Sequence, residues 1–459
     1  MNNDIIVAVS TPPGEGAVGI VRMSGNGAIE IADKIFLPYN KNLLLSERRN
    51  FSLNLGWILA AQGQRIDEVL MGIMRSPHSY TGEDVVEINC HGGSAALRAC
   101  LQRCLDLGAR LAEPGEFTKR AFLNDRLGLE QAEAVLDIIR AKTERGLQLA
   151  VNQLSGSSGR FIAELEDRLL GLNAMVDASL DFPDEVGDLD QEQARLILGE
   201  TVDTIESWLE AARRAEIYRE GIELAIVGKP NVGKSSLLNA LSRKEKAIVT
   251  DIPGTTRDIV EEYINVRGIP VKLMDTAGIR STEDLVEKIG VEKSRELIAQ
   301  ADLVVLVLDF AAGIAGEDME IFHTIPAEKC LVLVNKEDIE RKAISEEELA
   351  EKFSLAKVIR ASVKEDYGLD ELENAIEEML LSGTQNDDGM EIMVNMRQKQ
   401  ALLKSRAFAE NALQQVGQVP LDCLGVDIWG ALECLGEISG KSLKEEVIDR
   451  IFHDFCIGK

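Results

Sequence analysis

The stretch Gly228-Lys229-Pro230-Asn231-Val232-Gly233-Lys234-Ser235 constrains this chain more than any other. It follows Ile222 to Val227, a mostly apolar run that ends in Ala-Ile-Val and reads as a buried strand. It precedes Ser236-Leu237-Leu238-Asn239-Ala240-Leu241, whose apolar residues fall at helical spacing. Strand, G-x-x-x-x-G-K-S and helix, in that order, specify a phosphate-binding loop. The glycines let the backbone curl so that successive N–H groups point inward, and the helix N-terminus adds partial positive charge. Asn231, Val232, Gly233, Lys234, Ser235 and Ser236 are the expected contacts. Lys234 would reach the β- and γ-phosphates, and the Ser235 hydroxyl would ligate Mg²⁺.

Three further motifs follow in the order that guanine-nucleotide hydrolysis requires. Thr250-Asp251-Ile252-Pro253-Gly254-Thr255-Thr256-Arg257-Asp258 is a polar loop in which Thr256 can close over Mg²⁺ and the γ-phosphate. Asp275-Thr276-Ala277-Gly278 brings a carboxylate towards Mg²⁺ and a flexible glycine towards the γ-phosphate. Asn335-Lys336-Glu337-Asp338 follows a buried strand. The Asp338 carboxylate can accept two hydrogen bonds from guanine N1–H and N2–H₂, donors that adenine lacks. An acceptor left unpaired there costs a few kcal/mol, or ~10²-fold against ATP. One absence is informative. The residue after Asp-Thr-Ala-Gly is Ile279, not the glutamine that orients water in many switch GTPases. Another group must act, and Glu287 lies further along the same segment.

At 459 residues the chain exceeds one core. Residues 4–120 read as an α/β unit, with strands at 5–9, 18–21 and 85–88 and a helical pattern through Leu97, Leu101 and Leu105. Glu87 interrupts its apolar neighbours, and Arg22 stands at a strand end. The period then turns helical. Leu129, Ala132, Leu136, Ile139, Leu147, Ala150 and Leu154 lie near one stripe, and Phe161, Leu165, Leu169, Leu172, Val176 and Leu180 form a second. Asp181-Phe182-Pro183 stops that helix, and another runs from Ala194 to Ile217. Residues 221–380 alternate strand and helix as a doubly wound sheet does, and helical patterning returns beyond residue 390. The final helix carries Val447, Ile451 and Phe455 and is expected to release Ile457-Gly458-Lys459. A net charge of −28 argues against a broad nucleic-acid grip by this chain alone. No apolar run reaches the length of a membrane span, and the start lacks a signal peptide's basic region. Seven cysteines without a C-x-x-C pair fit reduced thiols, so a cytoplasmic protein is expected.

Over essentially its whole length the sequence resembles the MnmE (TrmE) family of tRNA modification GTPases. The carrying stretches are Thr11-Pro12-Pro13-Gly14, Tyr80-Thr81-Gly82-Glu83-Asp84, His91-Gly92-Gly93, Pro114-Gly115-Glu116-Phe117, Asp181-Phe182-Pro183, the loop 250–258 and Cys456-Ile457-Gly458-Lys459. The resemblance implies a multidomain α/β plus all-α chain. Residues 1–120 would bind tetrahydrofolate and dimerise. Residues 121–219 and 383–459 would form a helical domain, with a Ras-like P-loop GTPase domain inserted at 220–382. It implies folate contacts from Arg22, Glu87, Arg126 and Lys459, with Cys456 near the substrate. It also implies K⁺ held by Asn231, Thr250, Ile252 and Thr255 in place of an arginine finger, and water oriented by Glu287. The partners implied are a second copy, the FAD-dependent MnmG in a heterotetramer, and tRNA gripped mostly through MnmG. Together they would add a carboxymethylaminomethyl or aminomethyl group to carbon 5 of the wobble uridine, using 5-formyl- or methylene-tetrahydrofolate. Ala361-Ser362-Val363 is a loose version of the family's guanine-contacting S-A-K loop. A GTP switch for ribosome assembly is the alternative, although neither flank supplies a basic RNA-binding module. A one-carbon transferase regulated by GTP is a third reading.

Overall fold

A computed structural model of the chain describes residues 4–40, 44–244, 263–274, 297–340, 343–381 and 393–459. The first layer is a seven-stranded sheet. Its strands are β1 (Ile6–Val9), β2 (Gly16–Ser24), β3 (Phe36–Pro38), β4 (Ser52–Leu59), β5 (Arg65–Met74), β6 (Val85–Gly92) and β7 (Arg110–Leu111), in the order β3-β4-β5-β6-β2-β1-β7. Helices α1 (Ala28–Ile35) and α2 (Ser94–Leu105) cover one face. Strand alternation explains Glu87: Val86, Ile88 and Cys90 enter the core beneath the helices, and Glu87, Asn89 and His91 stand on the other face. β2 and β6 extend beyond the expected strands because they pair along nearly their whole length, with a bulge between Gly16 and Val18.

Five helices and one short helical turn follow: α3 (Glu116–Leu123), α4 (Leu129–Arg140), α5 (Glu144–Leu154), α6 (Ser157–Asp181), the turn α7 (Pro183–Val186) and α8 (Gln191–Glu220). The stripe expected through Leu129 to Leu154 divides in two. Thr143 caps α5 by accepting the Gly146 N–H, the helix axis changes there, and Ile139 and Leu147 are left exposed. Pro183 ends α6 as expected, although Leu180 faces solvent.

The chain then enters a six-stranded sheet of β8 (Ile222–Val227), β9 (Tyr263–Val266), β10 (Ile269–Leu273), β11 (Leu303–Asp309), β12 (Cys330–Asn335) and β13 (Lys357–Arg360), in the order β13-β12-β11-β8-β10-β9. Among the described residues its pairings are parallel except β9–β10. α9 (Lys234–Lys244) and α12 (Leu369–Leu381) cover one face. α10 (Gly316–Thr324) and α11 (Glu346–Lys352) cover the other. β11 and β12 are buried on both sides, which is why they read as unbroken apolar runs.

α13 (Met396–Gln415), α14 (Leu421–Ser439) and α15 (Glu445–His453) complete the helical layer. Leu165, Leu169 and Leu172 of α6, Leu198 and Trp208 of α8, Leu402 of α13 and Leu424, Ile428 and Leu435 of α14 share one core. Helices that precede and follow the six-stranded sheet in the chain therefore build a single layer. Arg397 locks it to α4, donating from Nε and Nη2 to the two oxygens of the buried Glu133 at 2.9 Å each. No described helix is long and apolar enough to cross a membrane.

Candidate functional site

The phosphate cradle sits between β8 and α9. Asn231 (φ 62°), Gly228 (φ 142°) and Gly233 (φ 105°) take left-handed backbone conformations that form the curl. A Cβ at Gly228 would stand 2.4 Å from the Val307 carbonyl oxygen, so only glycine fits. The Lys234 ammonium folds over the loop and donates to the carbonyls of Gly228 at 2.7 Å and Lys229 at 2.5 Å. Burial pushes its pKa below the ordinary value. Lys229 points the other way and pairs with the buried Asp318 at 2.7 Å.

The guanine loop is pinned to this cradle. Asn335 Nδ2 donates to the Val232 carbonyl at 2.9 Å, and its Oδ1 accepts the Val363 N–H at 3.1 Å. Lys336 Nζ donates to the Asn231 carbonyl at 2.7 Å and to Asp309 Oδ2 at 2.6 Å. The Ser362 hydroxyl donates to Asp338 Oδ1 at 2.7 Å, and Lys364 Nζ lies 3.8 Å from Oδ2. Chiefly through the Ser362 bond, the Asp338 carboxyl stays below its usual range and remains an ionised acceptor. The residues that meet Asp338 are thus Ser362 and Lys364, one position later than the sequence match, and Ala361 is wholly buried in the sheet core. Gly233, Ser236, Asn239, Asn335, Lys336 and Asp338 line an open cleft of about 690 Å³. Thr250 to Thr256, Asp275 to Gly278, and Glu287 lie outside the described residues.

A second cluster forms on the other face of the first sheet, where α3 and the end of the chain cover β1 and β2. Arg22 and Glu87 are register partners on β2 and β6, and their side chains pair at 2.8 Å. The Arg22 guanidinium lies 5.3 Å from the Tyr80 ring centre and 5.7 Å from that of Phe117. Arg126 lies 5.1 Å from Tyr80. The end of the chain enters this cluster. The Gly458 carbonyl accepts from Arg22 Nη1 and Ser10 Oγ, both at 3.2 Å. The Gly115 and Phe117 N–H groups donate to the carbonyls of Cys456 and Lys459. Burial first, then the neighbouring Arg22 charge, hold the Lys459 ammonium below its ordinary pKa. The expected release of Ile457-Gly458-Lys459 is therefore corrected. α15 stops at His453, Phe452 and Phe455 anchor the segment, and the last residues dock on the first sheet. Cys456 is exposed beside them.

A model of the TrmE N-terminus matches residues 5–126, and a model of the MnmE helical domain matches residues 129–456. The tRNA modification GTPase MnmE of Syntrophomonas wolfei subsp. wolfei is 61% identical over 459 residues, 100% of both chains. The protein of that name from Desulforamulus reducens is 47% identical over 467 residues, again 100% of both. The chain belongs to the MnmE family.

As an MnmE-family GTPase, it brings together Arg22, Glu87, Arg126 and Lys459, which the sequence resemblance had grouped on motif positions alone. Sequence reasoning missed the aromatic floor of Tyr80 and Phe117, because both read as parts of turn motifs. It also missed Asp309 and Asp318, acidic residues indistinguishable in sequence from surface charges.

Proposed function

We propose that this GTPase of tRNA modification acts with the FAD-dependent partner MnmG on carbon 5 of the wobble uridine, adding a carboxymethylaminomethyl or aminomethyl group. The one-carbon unit comes from 5-formyl- or methylene-tetrahydrofolate. The observation that carries this reading is the Arg22–Glu87–Lys459 cluster above Tyr80 and Phe117. A pteridine is flat, with donors and acceptors along one edge. The half-buried Tyr80 ring, a paired guanidinium and carboxylate, and a second cation fit that chemistry, with the wholly buried Phe117 supporting Arg22. Cys456, exposed at the same edge, would face the substrate.

In hydrolysis, Lys234 leaves the Gly228 and Lys229 carbonyls for the β- and γ-phosphates, and Asp338 accepts from guanine. Ser235 and Thr256 would hold Mg²⁺, which neutralises phosphate charge. Asn231, Thr250, Ile252 and Thr255 offer neutral amide, hydroxyl and carbonyl oxygens, a donor set that fits K⁺. Glu287 orients the water. We keep domains at 1–120, 121–219 with 383–459, and 220–382 as part of this reading. A homodimer is supported by Val18, Leu53, Leu55 and Leu70, which stand exposed on the same side of the sheet as Arg22, beyond the part that α3 and the chain end cover. We place the protein in the cytoplasm, with tRNA held mostly by MnmG. Glu87→Ala, titrated with 5-formyl-tetrahydrofolate, should lose binding, and tRNA from cells carrying it should lack the wobble modification. Full binding and full modification would overturn the folate reading.

A further inference from the structure

We infer that Asp309, which belongs to none of the guanine-nucleotide motifs, is a positioning residue for the phosphate half of the nucleotide. β11 and β12 keep parallel register to their last residues, so Asp309 lies against Asn335. Its Oδ1 accepts the Ala311 N–H at 2.9 Å, which fixes the side chain, and its Oδ2 accepts from Lys336 at 2.6 Å. The same ammonium donates to the Asn231 carbonyl at 2.7 Å, and Asn335 holds the next carbonyl, that of Val232, at 2.9 Å. In a trans peptide the C=O and the following N–H point in opposite directions. Two carbonyls drawn towards the guanine loop therefore turn the Val232 and Gly233 N–H groups away from it, into the phosphate cradle.

The anion is needed for this arrangement. Lys336 sits at φ 70° and Asn231 at φ 62°, left-handed conformations that are strained for a non-glycine residue. A lysine ammonium at a loop edge otherwise turns to water. Asp309, with 15% of its side chain exposed, offers a carboxylate that holds the ammonium on the Asn231 carbonyl. Asp309 does not line the nucleotide cleft, so it acts through Lys336.

The inference rests on the phosphate-binding role of residues 228–235, and the test separates the two. GDP and inorganic pyrophosphate are competed against a fluorescent GDP analogue on the full chain with Mg²⁺. Asp309→Asn should weaken both ligands by a similar factor, ~10-fold for one charge-assisted hydrogen bond. The KM for GTP should rise with little change in kcat, and the melting temperature of the nucleotide-free protein should stay at the wild-type value. Asp338→Asn should weaken GDP and leave pyrophosphate unchanged. Lys336→Met breaks the same contact from the other side and serves where Asp309→Asn melts early. The double variant should lose no more than Lys336→Met alone. Wild-type pyrophosphate affinity in both single variants, or additive losses in the double variant, would overturn the role of Asp309. Wild-type GDP affinity in Lys234→Ala would overturn the phosphate-binding reading itself.

Discussion

Gly458→Ala isolates the docked end of the chain from everything else. Gly458 has φ 94°, where alanine costs about 1 kcal/mol or more. Its Cβ would stand 2.5 Å from the Val9 carbonyl oxygen and 2.9 Å from Ser10 Cα, both backbone atoms that cannot step aside. Residue 458 must withdraw. Its carbonyl then loses the Ser10 hydroxyl and the Arg22 guanidinium, contacts worth about 1 and about 2 kcal/mol. A total of about 4 kcal/mol shifts docking towards the released state by ~10²-fold or more. The loss stops at Phe455, whose packing against Phe452 and α4 is independent of residue 458. Hydrogen exchange reads it directly. The Gly115 and Phe117 amides, which donate to the carbonyls of Cys456 and Lys459, should lose protection. Titration with 5-formyl-tetrahydrofolate should show affinity reduced by at least tenfold, and GTP hydrolysis should be unchanged. Retained protection at Gly115 and Phe117 would refute the steric argument. Lost protection with unchanged folate affinity would refute the placement of the folate.

Asp338→Asn should shift nucleotide preference from GTP to xanthosine triphosphate, since an amide can donate where guanine offers its own donor; a binding titration with both nucleotides checks it. GTP hydrolysis should run faster in K⁺ than in Na⁺ at equal ionic strength, measured as phosphate release. Glu287→Ala should slow hydrolysis by ~10²-fold while nucleotide affinity holds, as for a group used mainly in the transition state. Burial lowers the Lys234 pKa below 10.5, so the unfolded state binds the extra proton in the window below that value. The penalty is full at lower pH, and nucleotide-free stability should rise as pH climbs towards 10.5. Lys234→Met should flatten that rise in urea unfolding.

The GTPase half was legible because its signals are local. β8, the glycine turn and α9 are contiguous, and strands buried on both faces cannot avoid reading as apolar runs. The stripe through residues 129–154 misled for the same reason. Periodicity continues across Ala141-Lys142-Thr143, and only the Thr143 cap reveals that the axis changes. The docking of Gly458 on Arg22 joins residues 436 apart, and no local period encodes such a contact. The motif match supplied Lys459, but it could not show a backbone carbonyl as the group that Arg22 holds. Asp309 stayed invisible because its importance comes from register: it is the last residue of a strand whose neighbour ends at Asn335.

The helical layer built from both sides of the GTPase sheet has a consequence during synthesis. Glu133 and Arg397 are 264 residues apart, and α6 and α8 emerge long before α13 and α14. At about 5–20 residues per second, the ribosome leaves roughly ten to fifty seconds between the buried carboxylate and its guanidinium. In that interval Leu165, Leu169, Leu172 and Leu198 have no α13 or α14 to cover them, and the nascent chain carries exposed apolar surface of the kind that favours aggregation. The first sheet can close early, whereas its Arg22 waits for Gly458, 436 residues further along the chain. Assembly of that pocket is thus a late step, which follows the closure of both sheets.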